Sequence, residues 1–91
     1  MSDPINDFGA KQYPFLIPIK IIGPSTPDFQ YRSISIVKRL APDVDDHEVT
    51  STLSKGGKYT SVTCSFTAKS RPHLEAVYAS LTESPYISMV L

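Results

Sequence analysis

A chain of 91 residues, 41% hydrophobic and 20% charged, is long enough for one compact core and too short for two. Nine Lys plus Arg offset nine Asp plus Glu, which argues against a surface built to follow phosphate backbones, so nucleic acid is not an expected partner. The longest apolar run, Phe15 to Ile22, is broken by Pro18 and Lys20 and falls far short of the ~20 residues of a membrane span. With no basic-then-apolar leader at the start, a cytoplasmic chain with no membrane partner is expected.

Residues 1–13 mix polar side chains with isolated Ile5 and Phe8 at neither helical nor strand spacing. They read as a flexible arm ahead of a single domain over residues 14–91. Phe15 to Ile22 is β-rich and stops at Gly23-Pro24, as a strand does. Alternation sets Ile17, Ile19 and Ile21 on one face, with Leu16, Lys20 and Ile22 on the other. Pro18 cannot donate to a neighbouring strand, so either the pairing begins after it or a bulge sits there.

Ser25-Thr26-Pro27-Asp28 is a helix start: Thr26 can accept from the freed N–H groups, Pro27 fits the first turn, and Asp28 suits the positive end of the dipole. Phe29, Ser33, Ile36, Val37 and Leu40 then share a stripe, and Pro42 closes the element. Arg32 to Val37 also alternates as a strand would. The start signal, the length and the stripe favour helix.

Asp43 to Asp46 form an acidic connection to a second strand, in which Val49, Ser51 and Leu53 alternate with Glu48, Thr50 and Thr52. Lys55-Gly56-Gly57-Lys58 offers the positive-φ positions of a hairpin turn. The third strand, Tyr59 to Ala68, has the clearest pattern. Val62, Cys64, Phe66 and Ala68 take one face, and Ser61, Thr63, Ser65 and Thr67 the other. Ser70-Arg71-Pro72 opens a second helix with Leu74, Val77, Tyr78 and Leu81 as its stripe, Glu83-Ser84-Pro85 ends it, and Tyr86 to Leu91 form a last strand. The order β-α-β-β-α-β is the split-βαβ, ferredoxin-like α+β sandwich. Two amphipathic helices each need an apolar sheet face, which puts both on one side of a four-stranded antiparallel sheet.

The first β–α turn is the leading candidate binding site. Lys20, Gly23, Ser25 and Thr26 combine a cation, hydroxyls and the N–H groups of a helix start, which can hold a carboxylate or a phosphate. A turn glycine followed by a capping threonine accounts for the same residues. No Gly-x-Gly-x-x-Gly or Gly-Lys-Ser/Thr loop supports a nucleotide, and no cofactor is expected. Asp43, Asp45, Asp46, His47 and Glu48 lack the glycine and distal glutamate of a calcium loop and a second histidine at zinc spacing. They read as a solvated connection, with no metal. His73 is expected exposed in the first turn of the second helix.

Cys64 is the only cysteine. It alternates with Val62 and Phe66 and reads as a small buried hydrophobe with no neighbour to form a thiolate. No Gly-x-Ser-x-Gly turn presents a nucleophile, and no carboxylate pair shares a rim. No catalytic residue is assigned. RNA-recognition modules share this strand order, but they stack bases on outward aromatics, where the third strand offers hydroxyls and only Tyr59.

Pro14 with Ile19-Lys20-Ile21-Ile22-Gly23, Ile36-Val37 with Arg39 and Ala41-Pro42, Ser54 to Tyr59 with Ser61-Val62, Leu74 with Tyr78 and Leu81, and Met89-Val90-Leu91 together resemble the YbeD-like family of small bacterial proteins. The resemblance runs from about Pro14 to Leu91. Leu40 stands where relatives often carry histidine, and the Gly56-Gly57-Lys58 turn is longer than usual, so no role for that histidine carries over. The resemblance implies a ferredoxin-like fold similar to ACT regulatory domains, in a family with no established biochemical activity. ACT domains bind small effectors around the first β–α turn, which again points to Lys20, Gly23, Ser25 and Thr26. The expected role is a non-catalytic regulatory or adaptor domain. It would bind a protein, or a second copy, through an outer sheet face including Leu16, Ile22 and Val90. The alternative is a domain that binds a small anionic effector, such as an amino acid, at the first turn.

Overall fold

The strand with the cleanest alternation, β3 (Tyr59–Ala68), lies inside a four-stranded antiparallel sheet of order β2-β3-β1-β4. This and the rest of the fold are described for residues 13–91 of a computed structural model. β1 (Phe15–Pro24) pairs with β3 along its whole length, from Phe15 opposite Ala68 to Pro24 opposite Tyr59. β2 (Thr50–Leu53) flanks β3, and β4 (Met89–Val90) flanks β1 opposite Ile22 and Ile21. Residues directly opposite in antiparallel strands share a face. Ile17, Ile19 and Ile21 therefore line up with Phe66, Cys64 and Val62, and none of the six is more than 2% exposed.

Two helices cover that face. α1 (Phe29–Leu40) contributes Phe29 and Val37, and α2 (Arg71–Thr82) contributes Leu74, Val77 and Leu81, all at most 1% exposed. The fold is a ferredoxin-like α+β sandwich whose second sheet face no described element covers. The hairpin between β2 and β3 is turned by Gly56 and Gly57, at φ 87° and 74°, values that glycine adopts without a Cβ clash. No helix among the described residues is long and apolar enough to cross a membrane.

Several sequence expectations change. Pro18 causes neither a late start nor a bulge, since it sits opposite Ser65 in unbroken register. The N–H of Lys20 donates to the Leu91 carbonyl, so its backbone faces β4. By the two-residue period the nitrogen of Pro18 faces the same way, where β4 does not reach and no donor is needed. β4 itself is two residues long rather than the expected six; the segment before it turns at Ile87 N–H to the Ser84 carbonyl and is tied to β1 by Ser88 N–H to the Ile22 carbonyl.

α1 begins at Phe29 with Asp28 as its N-cap residue, and no side chain caps it. Thr26 does not act as the cap. Its hydroxyl donates to Asp28 Oδ1 at 2.9 Å, because a carboxylate outcompetes a peptide N–H as its partner. Leu40, expected on the buried stripe, is 37% exposed, and Ile34 is buried instead. The chain turns inward just after the helix, and Ala41 and Val44 close that end of the core. His73 is half-buried rather than exposed. Its Nδ1 accepts from the Lys69 N–H at 3.0 Å, which leaves the proton on Nε2 to donate to the Leu40 carbonyl at 2.7 Å. The first turn of α2 thereby satisfies a carbonyl that the end of α1 leaves open. The arm read over residues 1–13 lies outside the described residues except for Tyr13, which packs against the core.

Candidate functional site

The four residues proposed for the first β–α turn do not converge. Lys20 lies opposite Thr63 on the uncovered face. Gly23 is buried between the ring of Phe29 and the carbonyl of Tyr86, on the helix side. The Ser25 N–H donates to the Lys58 carbonyl at 3.0 Å, and its hydroxyl shares a 2.8 Å hydrogen bond with that of Thr60. The Thr26 hydroxyl is committed to Asp28. Asp28 also accepts from Arg32 Nε, and the Arg32 guanidinium, then the Thr26 hydroxyl, hold its carboxyl below the ordinary aspartate range. The turn thus carries its own ionised carboxylate where an anionic effector would sit, and its hydroxyls already have partners.

The acidic connection divides its carboxylates among separate tasks. Asp43 accepts from the Thr67 N–H, Asp45 from the His47 N–H, and Asp46 pairs with Lys38 at 2.7 Å. Among the described residues, no three His, Cys, Asp or Glu side chains are grouped to hold a metal ion. Cys64 is 2% exposed between Val62 and Phe66, and burial pushes its thiol up to about 11. A neutral, enclosed thiol is a packing residue and a poor nucleophile.

The uncovered sheet face is the larger feature. β1 presents Leu16, Pro18, Lys20, Ile22 and Pro24 there, and β3 presents Tyr59 with the hydroxyl row Ser61, Thr63, Ser65 and Thr67. Leu16 is 66% exposed, Leu91 60% and Met89 52%. Such large apolar side chains gathered on one side of a small domain mark an interaction surface. Lys20 is the only charged side chain that β1, β3 and β4 place on this face.

The sequence assigned Val90 to this face, and the register corrects that. Val90 lies opposite Ile21, so it points to the helix side and packs against the core. Met89, opposite Ile22, takes its place, joined by Leu91, whose N–H and carbonyl both bond to Lys20. Period-two alternation shows that Met89 and Leu91 share a face; only pairing with β1 decides which one. The described strands place no stacking aromatic on this face other than Tyr59 at its corner.

Comparison with known proteins agrees with this architecture. A UPF0250 protein of Nitrosomonas europaea is 41% identical over 80 residues, covering 88% of this chain and 92% of its own. A UPF0250 protein of Paraburkholderia phymatum is 34% identical over 88 residues, covering 97% and 98%. The solution structure of protein HP0495 from H. pylori superposes with a TM-score of 0.65 over 90% of this chain and 86% of its own, at 14% identity, a likeness of fold. The resemblance to YbeD-like proteins read from the residues is thereby supported, and the match over residues 10–91 shows that the chain belongs to DUF493, a family of proteins of unknown function.

Proposed function

We propose that the chain is a non-catalytic adaptor domain of the cytoplasm that binds a protein partner through its uncovered sheet face. The observation that carries this reading is the exposed apolar set Leu16, Met89 and Leu91 around a single cation, Lys20. Its chemistry fits a partner surface that is mostly apolar and offers one carboxylate to Lys20. Such a surface gains from desolvating apolar area and uses the ion pair to fix register rather than for affinity. The half-buried hydroxyls of Ser61, Thr63, Ser65 and Thr67 suit a polar rim on the β3 side.

The test captures partners from a native lysate with the wild-type chain and with Leu16→Lys and Met89→Lys. Both residues are exposed, so these variants keep the fold. The expected result is a protein retained by the wild type and lost by both variants. On adding that purified protein, amide shifts should change at Leu16, Lys20, Thr63 and Met89. Equal capture by all three chains, or shift changes confined to α1 and α2, would remove the reading.

A further inference from the structure

We infer that β2 is a self-association edge, at which two copies of this chain pair antiparallel to continue the sheet. The inference is independent of the uncovered face and would survive its failure. β2 is an outer strand, and all four of its residues are exposed. The Ser54 N–H donates to the Tyr59 carbonyl, so the backbones of Ser54, Thr52 and Thr50 face β3 in alternation. The N–H and carbonyl groups of Ser51 and Leu53 and the carbonyl of Val49 therefore point away from the sheet. Natural edges of this kind are blocked by short strand length, charged side chains, proline, a bulge or a covering element. Thr50–Leu53 is short, but it has no charge, proline or bulge, and among the described residues no element covers it. Along its helix side runs an open groove of about 440 Å³, lined by Pro27, Gln30 and Leu53 among others.

Charge at the two ends of β2 selects the occupant. Asp45 and Glu48 precede the strand, beside Asp46 paired with Lys38, and Lys55 and Lys58 follow it. Antiparallel pairing of two copies lays the acidic end of each beside the basic hairpin of the other, twice; parallel pairing would set like beside like. A two-fold axis perpendicular to the sheet, passing through Ser51, pairs Ser51 with Ser51 and Val49 with Leu53 of the second copy. Four backbone hydrogen bonds then form: two between the serines and two from Leu53 N–H groups to Val49 carbonyls. Leu53, 64% exposed in one copy, gains the second copy's Val49 on the same face. Main-chain pairing of this kind supplies affinity while flanking side chains set register.

Sedimentation velocity across a concentration series, at low and at high salt, tests this on the full chain. A monomer–dimer equilibrium is expected that weakens as salt rises. Ser51→Pro should weaken it roughly tenfold or more, because two of the four bonds lose their donors. It should leave the circular dichroism spectrum unchanged, since that N–H faces away from β3. Glu48→Lys or Lys55→Glu alone should weaken the dimer, and the two together should restore it, which no general loss of folding would imitate. A chain monomeric at every concentration overturns the inference. So does a dimer unmoved by Ser51→Pro, or one lost to Leu16→Lys instead, which would belong to the uncovered face.

Discussion

The side chain that Gly23 lacks is replaced in space by the ring of Phe29 and the carbonyl oxygen of Tyr86, and a Cβ built there would overlap both. The close approach ties three segments together: the end of β1, the first residue of α1 and the turn before β4. Gly23 lacks the positive φ of Gly56 and Gly57, so the demand here is for room rather than for an unusual backbone. Gly23→Ala should therefore destabilise the fold by about 1–3 kcal/mol, as overpacking does. Urea unfolding followed by circular dichroism measures it. An unchanged midpoint would mean that Phe29 and β4 move apart at no cost.

Most of the fold is legible in the sequence because its inner sheet face is written in period two. Ile17, Ile19 and Ile21 face Val62, Cys64 and Phe66, and both triplets alternate with polar or smaller residues. The stripe of α2 is equally direct, and Leu74, Val77 and Leu81 are all buried. What fails is whatever depends on a distant partner. Val90 and Met89 cannot be assigned a face until β1 supplies the register. Leu40 looks like a core residue until Ala41 and Val44 close the same space. The candidate site fails for a related reason. Lys20, Gly23, Ser25 and Thr26 are close in the chain, but a strand sends Lys20 to the opposite face, and Thr60, Lys58 and Asp28, two of them far off in sequence, claim the polar groups of the turn.

Among the described residues, Ser33 is the one polar residue in the core, 1% exposed on α1, and its hydroxyl has no hydrogen-bond partner. Burying an unpaired hydroxyl carries its desolvation cost with nothing in return. Alanine removes that oxygen, leaves little void and is the better helix former. Ser33→Ala should raise stability by about 1 kcal/mol. A fall in the urea midpoint would show that the hydroxyl is engaged in solution.

Asp43 works at the edge of β3 beyond the reach of β2. Its Oδ2 accepts from the Thr67 N–H at 3.2 Å, past the last pair, Thr50 with Thr63. The Thr67 side chain first, and this backbone N–H after it, hold the Asp43 carboxyl below its ordinary value. A depressed carboxyl contributes its stability in full above the usual aspartate range and loses it as pH falls through the folded value. The Thr67 amide shift should therefore titrate with a midpoint below that of a free aspartate. Asp43→Ala should remove the titration and speed Thr67 exchange roughly tenfold, the loss expected for one hydrogen bond. A Thr67 amide insensitive to acid would sever the link.

Cys64 gives the alkaline counterpart. Its thiol lies under the helices opposite Ile19, and burial lifts it to about 11. In the unfolded chain a cysteine ionises near ~8.5. The raised value means the folded state keeps its proton longer. The associated stability is whole below the unfolded value and is lost as pH climbs from there toward about 11. Tyr78, half-buried on α2, is raised for the same reason, so the wild-type alkaline slope alone does not isolate the thiol. Cys64→Ala separates them. At neutral pH the variant should be less stable, because it leaves a small void against Ile19. Above pH ~9 the gap between the two proteins should narrow, because only the wild type still has a thiol to ionise on unfolding. Parallel curves up to pH ~11 would show that Cys64 ionises as readily in the folded sheet as in the open chain, which its packing under α1 and α2 forbids.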